Sequence, residues 1–119
     1  MTVIEILKIL SDNNRLRILN LLYAQELCVC ELEYLLGISQ SNLSKHLRLM
    51  NEAGFLENRR ENKFAYYKIN QQVLSAHPFI TEIFETELKR EDFLVDELNK
   101  LGNYKTSELT CHQITALIG

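Results

Sequence analysis

The chain has 119 residues, 46% hydrophobic and 24% charged, with 13 basic against 16 acidic side chains and a formal net charge of −3. That length fits one domain with one sizeable core, and a chain with four glycines, one proline and no polar tract is not a disordered one. No apolar run approaches the ~20 residues of a membrane span, and residues 1–10 carry Glu5 but neither the basic start nor the cleavage site of a signal peptide, so a cytoplasmic protein with reduced thiols is expected.

Val3, Ile4, Leu7 and Leu10 recur at helical spacing and predict a first helix. Ser11 or Asp12 caps a second, carried by Leu16, Ile18, Leu19, Leu22 and Tyr23. The stretch Glu26-Leu27-Cys28-Val29-Cys30-Glu31-Leu32 then places two of the three cysteines one residue apart, at the start of a third helix through Val29, Leu32, Leu35 and Leu36 that Gly37 ends. Ser39 caps a fourth helix, whose inward stripe of Leu43, Leu47 and Met50 runs to Gly54. A three-residue gap opened by glycine between helices three and four is a helix-turn-helix pattern. Beyond Gly54, Phe55-Leu56-Glu57-Asn58-Arg59-Arg60 and Phe64-Ala65-Tyr66-Tyr67-Lys68-Ile69 flank a polar turn and predict a β-hairpin, the wing. Residues 71–101 read as helical, with an apolar stripe of Val73, Leu74, Ile80, Ile83, Phe84, Leu88, Val95, Leu98 and Leu101; Pro78 either breaks it or opens a new helix. Gly102 is expected to end it. The predicted architecture is a mainly α winged helix-turn-helix with a small β-hairpin over residues 1–102, followed by a C-terminal tail, 103–119.

The charge is unevenly spread. Residues 39–70 carry six basic and three acidic side chains, and the remainder carries seven basic and thirteen acidic. Phosphate contact depends on that local field, not on the chain total. On the fourth helix Ser41, Ser44, Lys45, Arg48 and Glu52 share one face, with Gln40 and Asn42 at its N-terminal end. Gln and Asn pair with adenine edges, Arg and Lys with guanine, and Ser with phosphate or base. His46 either touches a phosphate or packs. Arg59, Arg60 and Lys63 at the hairpin tip suit backbone or minor-groove contact. These residues form the expected face toward double-stranded DNA.

Two thiols beside a DNA-reading motif point to a regulator that responds to a metal or metalloid. On an intact helix, positions two apart diverge by about 200°. Cys28 and Cys30 are therefore expected to converge on one ion by fraying the first turn of the third helix, unless they precede it. Three cysteines without a fourth sulfur favour arsenite or antimonite over zinc, which usually takes four ligands. His112, beside Cys111, keeps cadmium, lead or zinc open, whereas His77 has no second histidine near it for a zinc site in the last helix.

The order of helices, helix-turn-helix, arginine-rich wing and terminal helix resembles the ArsR/SmtB family of winged helix-turn-helix repressors. Residues 26–32 resemble the metal-binding box of its arsenical-resistance repressors almost residue for residue. Ser44-Lys45-His46-Leu47-Arg48-Leu49-Met50 with Ala53-Gly54-Phe55-Leu56 resembles the recognition helix and its exit, and Arg59-Arg60 with Tyr66-Tyr67-Lys68-Ile69 resembles the wing. The resemblance covers about residues 1–101. It implies a homodimer joined by its first and last helices and bound to an operator of two-fold symmetry. It also implies release when As(III) or Sb(III) is bound by cysteine thiolates. No cofactor is expected to be required for DNA binding, and without an apolar span no membrane partner is expected. The best-known arsenic repressors carry a third cysteine three residues after the second; here that position is Glu33, a poor ligand for a soft ion. Cys111 is then the remaining candidate to join Cys28 and Cys30.

Three other readings stand beside this one. A thiol-redox or reactive-sulfur sensor keeps the DNA-binding half and changes the signal. A disulfide-shuffling enzyme would want Cys-x-x-Cys in a βαβ setting, which is missing, as is any convincing nucleophile set or phosphate loop, so no catalysis is expected. A winged helix that binds protein is disfavoured by the basic wing.

Overall fold

The computed structural model describes residues 1–106; Cys111 and His112 lie outside the described residues. Helix α1 (Val3–Leu10) is capped by Thr2 and buries Ile6, Ile9 and Leu10, while Val3, Ile4 and Leu7 form an exposed apolar face. Helix α2 (Asn13–Ala24) runs through the centre of the core, with Ile18, Leu19 and Leu21 fully buried. Its cap is Asp12, whose carboxylate accepts from the Arg15 backbone N–H at 3.0 Å. That bond lowers the Asp12 pKa against the opposing effect of burial, and the nearby charges of Arg15 and His46 add to it. A depressed folded-state pKa gives stability that is complete above the unfolded value near 3.8 and is lost as pH falls through the folded one. Asp12→Ala is therefore expected to cost about 1 kcal/mol at pH 7, read by urea unfolding. The difference from wild type should shrink as the pH is lowered below that unfolded value.

After α2 the chain makes a two-residue strand, β1 (Leu27–Cys28), that hydropathy periodicity did not reveal. It enters a three-stranded antiparallel sheet of order β1-β3-β2 with β2 (Leu56–Glu61) and β3 (Phe64–Ile69). The register pairs Leu27 with Tyr67 and Cys28 with Tyr66 on one side, and Asn58 with Tyr67 and Arg59 with Tyr66 on the other. The hairpin closes over two residues, and Asn62 takes the left-handed conformation there, at φ 57°.

Helix α3 (Val29–Leu36) ends at Gly37, whose φ of 67° is a left-handed C-cap that a β-carbon would strain. Ser39 caps helix α4 (Gln40–Glu52) through the Asn42 N–H, and Leu43, Leu47 and Met50 are fully buried. Each such side chain contributes about 1.5–3 kcal/mol of burial. That stripe fixes which side of α4 faces out.

The last third departs from a single helix. Helix α5 (Gln71–Ala76) stops before Pro78, which occupies the first turn of α6 (Pro78–Glu82), where its missing N–H costs nothing. His77 sits between them, edge-on to Phe79 at 6.2 Å, and so does not lie on the terminal helix. A π-helical turn (Ile83–Glu87) and a 3₁₀ turn (Leu88–Arg90) follow, and extended Glu91 precedes α7 (Asp92–Thr106). The break at Glu91 resets the helical phase, so Leu94 is fully buried and Val95 only half-buried. Gly102 does not end α7, which runs four residues past it to Thr106. Interior glycine costs roughly 1 kcal/mol relative to alanine, and the burial of Leu101 and the packing of Tyr104 on either side offset this. No helix among the described residues is long and apolar enough to cross a membrane.

Asn20 and Arg17 tie α7 to α2. Buried Asn20 donates to the Leu94 carbonyl at 3.3 Å. Arg17 on α2 grips the Glu97 carboxylate, with Nη2 at 2.6 Å and Nε at 3.0 Å from Oε2, and its Nη2 also donates to the Leu36 carbonyl at 2.7 Å. One guanidinium thus joins α2, α7 and the end of α3, next to the turn that launches α4.

Candidate nucleic-acid interface and thiol site

The buried stripe of α4 leaves Gln40, Ser41, Asn42, Ser44, Lys45 and Arg48 exposed on its outer side, where all six were expected. Arg48 pairs loosely with Glu52 one turn on, at 3.9 Å, and is 81% exposed, so the pair does not withdraw it. His46 is half-buried and lies near enough to Asp12 for its charge to bear on that carboxyl, which places it at the packed edge of the helix. The wing is anchored to α4 by Asn58, which donates to the Asn51 side chain at 2.8 Å. Arg60 and Lys63 are exposed at the hairpin tip, and Lys63 lies 5.9 Å from the Phe64 ring. Arg59 is different. Its Nε and Nη2 donate to Glu26 at 3.0 and 2.8 Å, its Nη1 to Glu61 at 3.1 Å, and its guanidinium lies 4.6 Å from the Tyr66 ring centroid. The two carboxylates hold the Arg59 proton more tightly than usual.

Cys28 is fully buried as the last residue of β1 and the N-cap of α3, with an extended backbone (φ −90°, ψ 167°); Cys30 is half-buried in the first turn. Because Cys28 precedes the helix, the divergence of an i,i+2 pair does not apply. The two Sγ atoms lie 2.8 Å apart with α3 intact. The expected fraying of the first turn is therefore not needed to bring the sulfurs together. Helix N-termini favour negative charge and thiolate chemistry. Soft trivalent ions are met by sulfur donors, so the pair fits such an ion chemically. The third candidate ligand, Cys111, lies outside the described residues. Among the described residues no group of three or more His, Cys, Asp or Glu side chains is placed to hold a metal.

Sequence reasoning missed the residues that surround the pair. Glu31 accepts from the Cys28 backbone N–H at 2.9 Å, and its other oxygen accepts from the Tyr104 hydroxyl on α7. Burial and that carboxylate push the Tyr104 phenol well above its ordinary pKa. Burial, with Glu31 and Glu61 nearby, also raises Tyr66. Tyr34 tilts against Tyr104 at 6.1 Å. The one available signal was Glu31 itself, an acidic residue three after a helix start, the position that reaches back to a cap N–H.

The model for "bacterial regulatory protein, arsR family" matches residues 12–58, which span α2 to the start of the wing. The arsenical resistance operon repressor of Escherichia coli K12 is 36% identical over 110 residues, covering 91% of this chain and 94% of its own. The chain belongs to the ArsR family of bacterial regulatory proteins. Another ArsR relative, the arsenic resistance transcriptional regulator ArsR1 of Pseudomonas putida KT2440, is 43% identical over 70 residues, or 57% of this chain, and the match spans about half of that protein (54%). A solved ArsR-like structure, the homodimeric winged helix-turn-helix DNA-binding domain Mb0332 of Mycobacterium bovis, superposes with a TM-score of 0.60 at 27% identity, covering 75% of this chain and 83% of that one. The mainly helical winged fold and the DNA-binding regulator class expected from the sequence both hold.

Proposed function

We propose that the chain is a metalloid-responsive transcriptional repressor, a cytoplasmic homodimer that binds operator DNA and leaves it when As(III) or Sb(III) binds cysteine thiolates. The observation that carries this reading is the convergence of the Cys28 and Cys30 sulfurs at the start of the helix that leads into the recognition helix. Likeness to an arsenical resistance operon repressor over nearly its whole length supports it. Gln40, Ser41, Asn42, Ser44, Lys45 and Arg48 of α4 contact the operator, His46 lies at the edge of that face, and Arg60 and Lys63 reach the backbone from the wing. The exposed apolar face of α1 together with α7 joins the two copies. Cys28 and Cys30 hold the inducer with Cys111, which the chain beyond α7 supplies.

Coupling then arises because the ion-bound arrangement must draw in a third ligand from beyond α7, while α3 and the sheet hold Cys28 rigidly. Arsenite added to the reduced protein on promoter DNA is expected to lower the fluorescence anisotropy of labelled DNA by releasing it. DNA binding indifferent to arsenite overturns the metalloid reading. The closeness of the two sulfurs also favours a second reading, oxidation of the pair as the signal. Release by peroxide, reversed by dithiothreitol and absent with arsenite, selects that one; cadmium, lead and zinc are run as parallel arms.

A further inference from the structure

Cys28, Tyr66 and Arg59 form one row across the three strands, because Tyr66 is the register partner of both Cys28 on β1 and Arg59 on β2. Laterally paired residues project from the same face of a sheet with β-carbons about 4.5–5.5 Å apart. Buried Cys28, Tyr66 and Arg59 are thus consecutive positions across the sheet. Arg60, the next residue, projects from the opposite face and is exposed. Arg59 alone of the three wing-tip cations has all of its donor nitrogens on carboxylates: Nε and Nη2 on Glu26, and Nη1 on Glu61. Glu26 is only two residues before Cys28, and its side chain is 28% exposed. Together Glu26, Arg59 and Glu61 carry a net charge of −1, so in this arrangement Arg59 adds nothing to the positive field a phosphate meets.

We propose that Glu26 and Tyr66 are positioning residues that park Arg59 on the sheet, and that the occupancy of the thiol pair decides whether Arg59 can leave for a DNA phosphate. Exposed ion pairs contribute little net free energy. Leaving the carboxylates therefore costs Arg59 little, so a small change nearby can bias whether it stays. Tyr66 lies between Cys28 and Arg59 in the strand register, with the guanidinium 4.6 Å from its ring centroid, and the backbone through Leu27 joins Cys28 to Glu26. A ligand on Cys28 Sγ therefore meets Arg59 by two short paths that do not pass through α3 or the recognition helix. The first half, parking, concerns DNA binding alone; the second, coupling, rests on the inducer reading given above.

The test is a double-mutant cycle on the full-length protein, followed as DNA affinity against salt concentration. Glu26→Gln is expected to tighten operator binding by about 3–10-fold by removing the competing carboxylate. Arg59→Gln should weaken binding and reduce the slope of log affinity against log salt by roughly 0.9, the share of one phosphate contact. The gain from Glu26→Gln should vanish in the Arg59→Gln background. An equal gain in both backgrounds would mean simple loss of a negative charge and would overturn parking, as would no gain at all. For coupling, Tyr66→Leu should still bind arsenite, seen in the ultraviolet absorption of the thiolate adduct. Its arsenite-induced loss of DNA affinity should nevertheless fall at least 10-fold, with the response restored in Tyr66→Phe. Full release in Tyr66→Leu overturns the coupling half. If arsenite does not release the wild type, the inducer reading fails, and the cycle at Glu26 and Arg59 still decides parking.

Discussion

Cys28→Ser is expected to abolish arsenite-driven release while the protein still binds its operator. Serine nearly matches cysteine in volume at this fully buried position, and it is a better helix N-cap, so α3 should form at least as well. Its hydroxyl, however, is a poor ligand for a soft ion. Losing one arm of a multidentate site removes an intramolecular binding step whose effective concentration is worth about 10²–10⁴-fold. The arsenite concentration for half-release should rise by that factor or leave the accessible range. Cys30→Ser should do the same, since its Sγ is the other member of the pair. Cys111→Ser reports whether the third donor comes from the tail: an equal loss assigns it there, and an unchanged midpoint removes Cys111 from the site. Retained wild-type release in Cys28→Ser would refute the thiol site altogether.

The largest structural effect is expected at Arg17, a position that no motif singled out. Arg17→Ala leaves the Glu97 carboxylate and the Leu36 carbonyl without their shared donor, and these groups are largely withdrawn from water: the side chains of Arg17 and Glu97 are 20% and 15% exposed. Stranding one member of such a pair costs about 2–4 kcal/mol, the lower end applying here because some water reaches it. Operator affinity should fall as well, because the Leu36 carbonyl sits beside Gly37 in the turn that orients α4. Urea unfolding and DNA titration of Arg17→Ala beside Glu97→Gln check both effects. A destabilisation smaller than that of Asp12→Ala would show that the junction contributes little.

Much of the interface was legible because it depends on local chemistry. Asp12, Ser39, Gly37 and the stripe of Leu43, Leu47 and Met50 each act within one or two helical turns, so the caps, the turn and the outward face of α4 could be read directly. The wing was legible for the same reason, from two aromatic and β-branched runs about a polar turn. Pro78 opens α6, one of the two outcomes expected of it. The terminal helix was misjudged where local packing outweighed the periodic signal: Glu91 shifts the phase before α7, and Gly102 is carried through the helix by its packed neighbours.

The sequence by itself determined the class of the protein, through the spacing of the cysteines, the helix-turn-helix and the wing. It also determined that Cys28 and Cys30 are the candidate donors. Only the tertiary structure decided how they meet. Pairing with Tyr66 on β3, 38 residues later in the chain, holds Cys28 extended ahead of α3 and sets its sulfur beside that of Cys30 without unwinding a helix. The same long-range contacts set Arg59 on Glu26, Tyr104 on Glu31 and Arg17 on Glu97. A pairing between distant segments depends on where two independently formed elements come to rest, and residue spacing within either one carries no record of it.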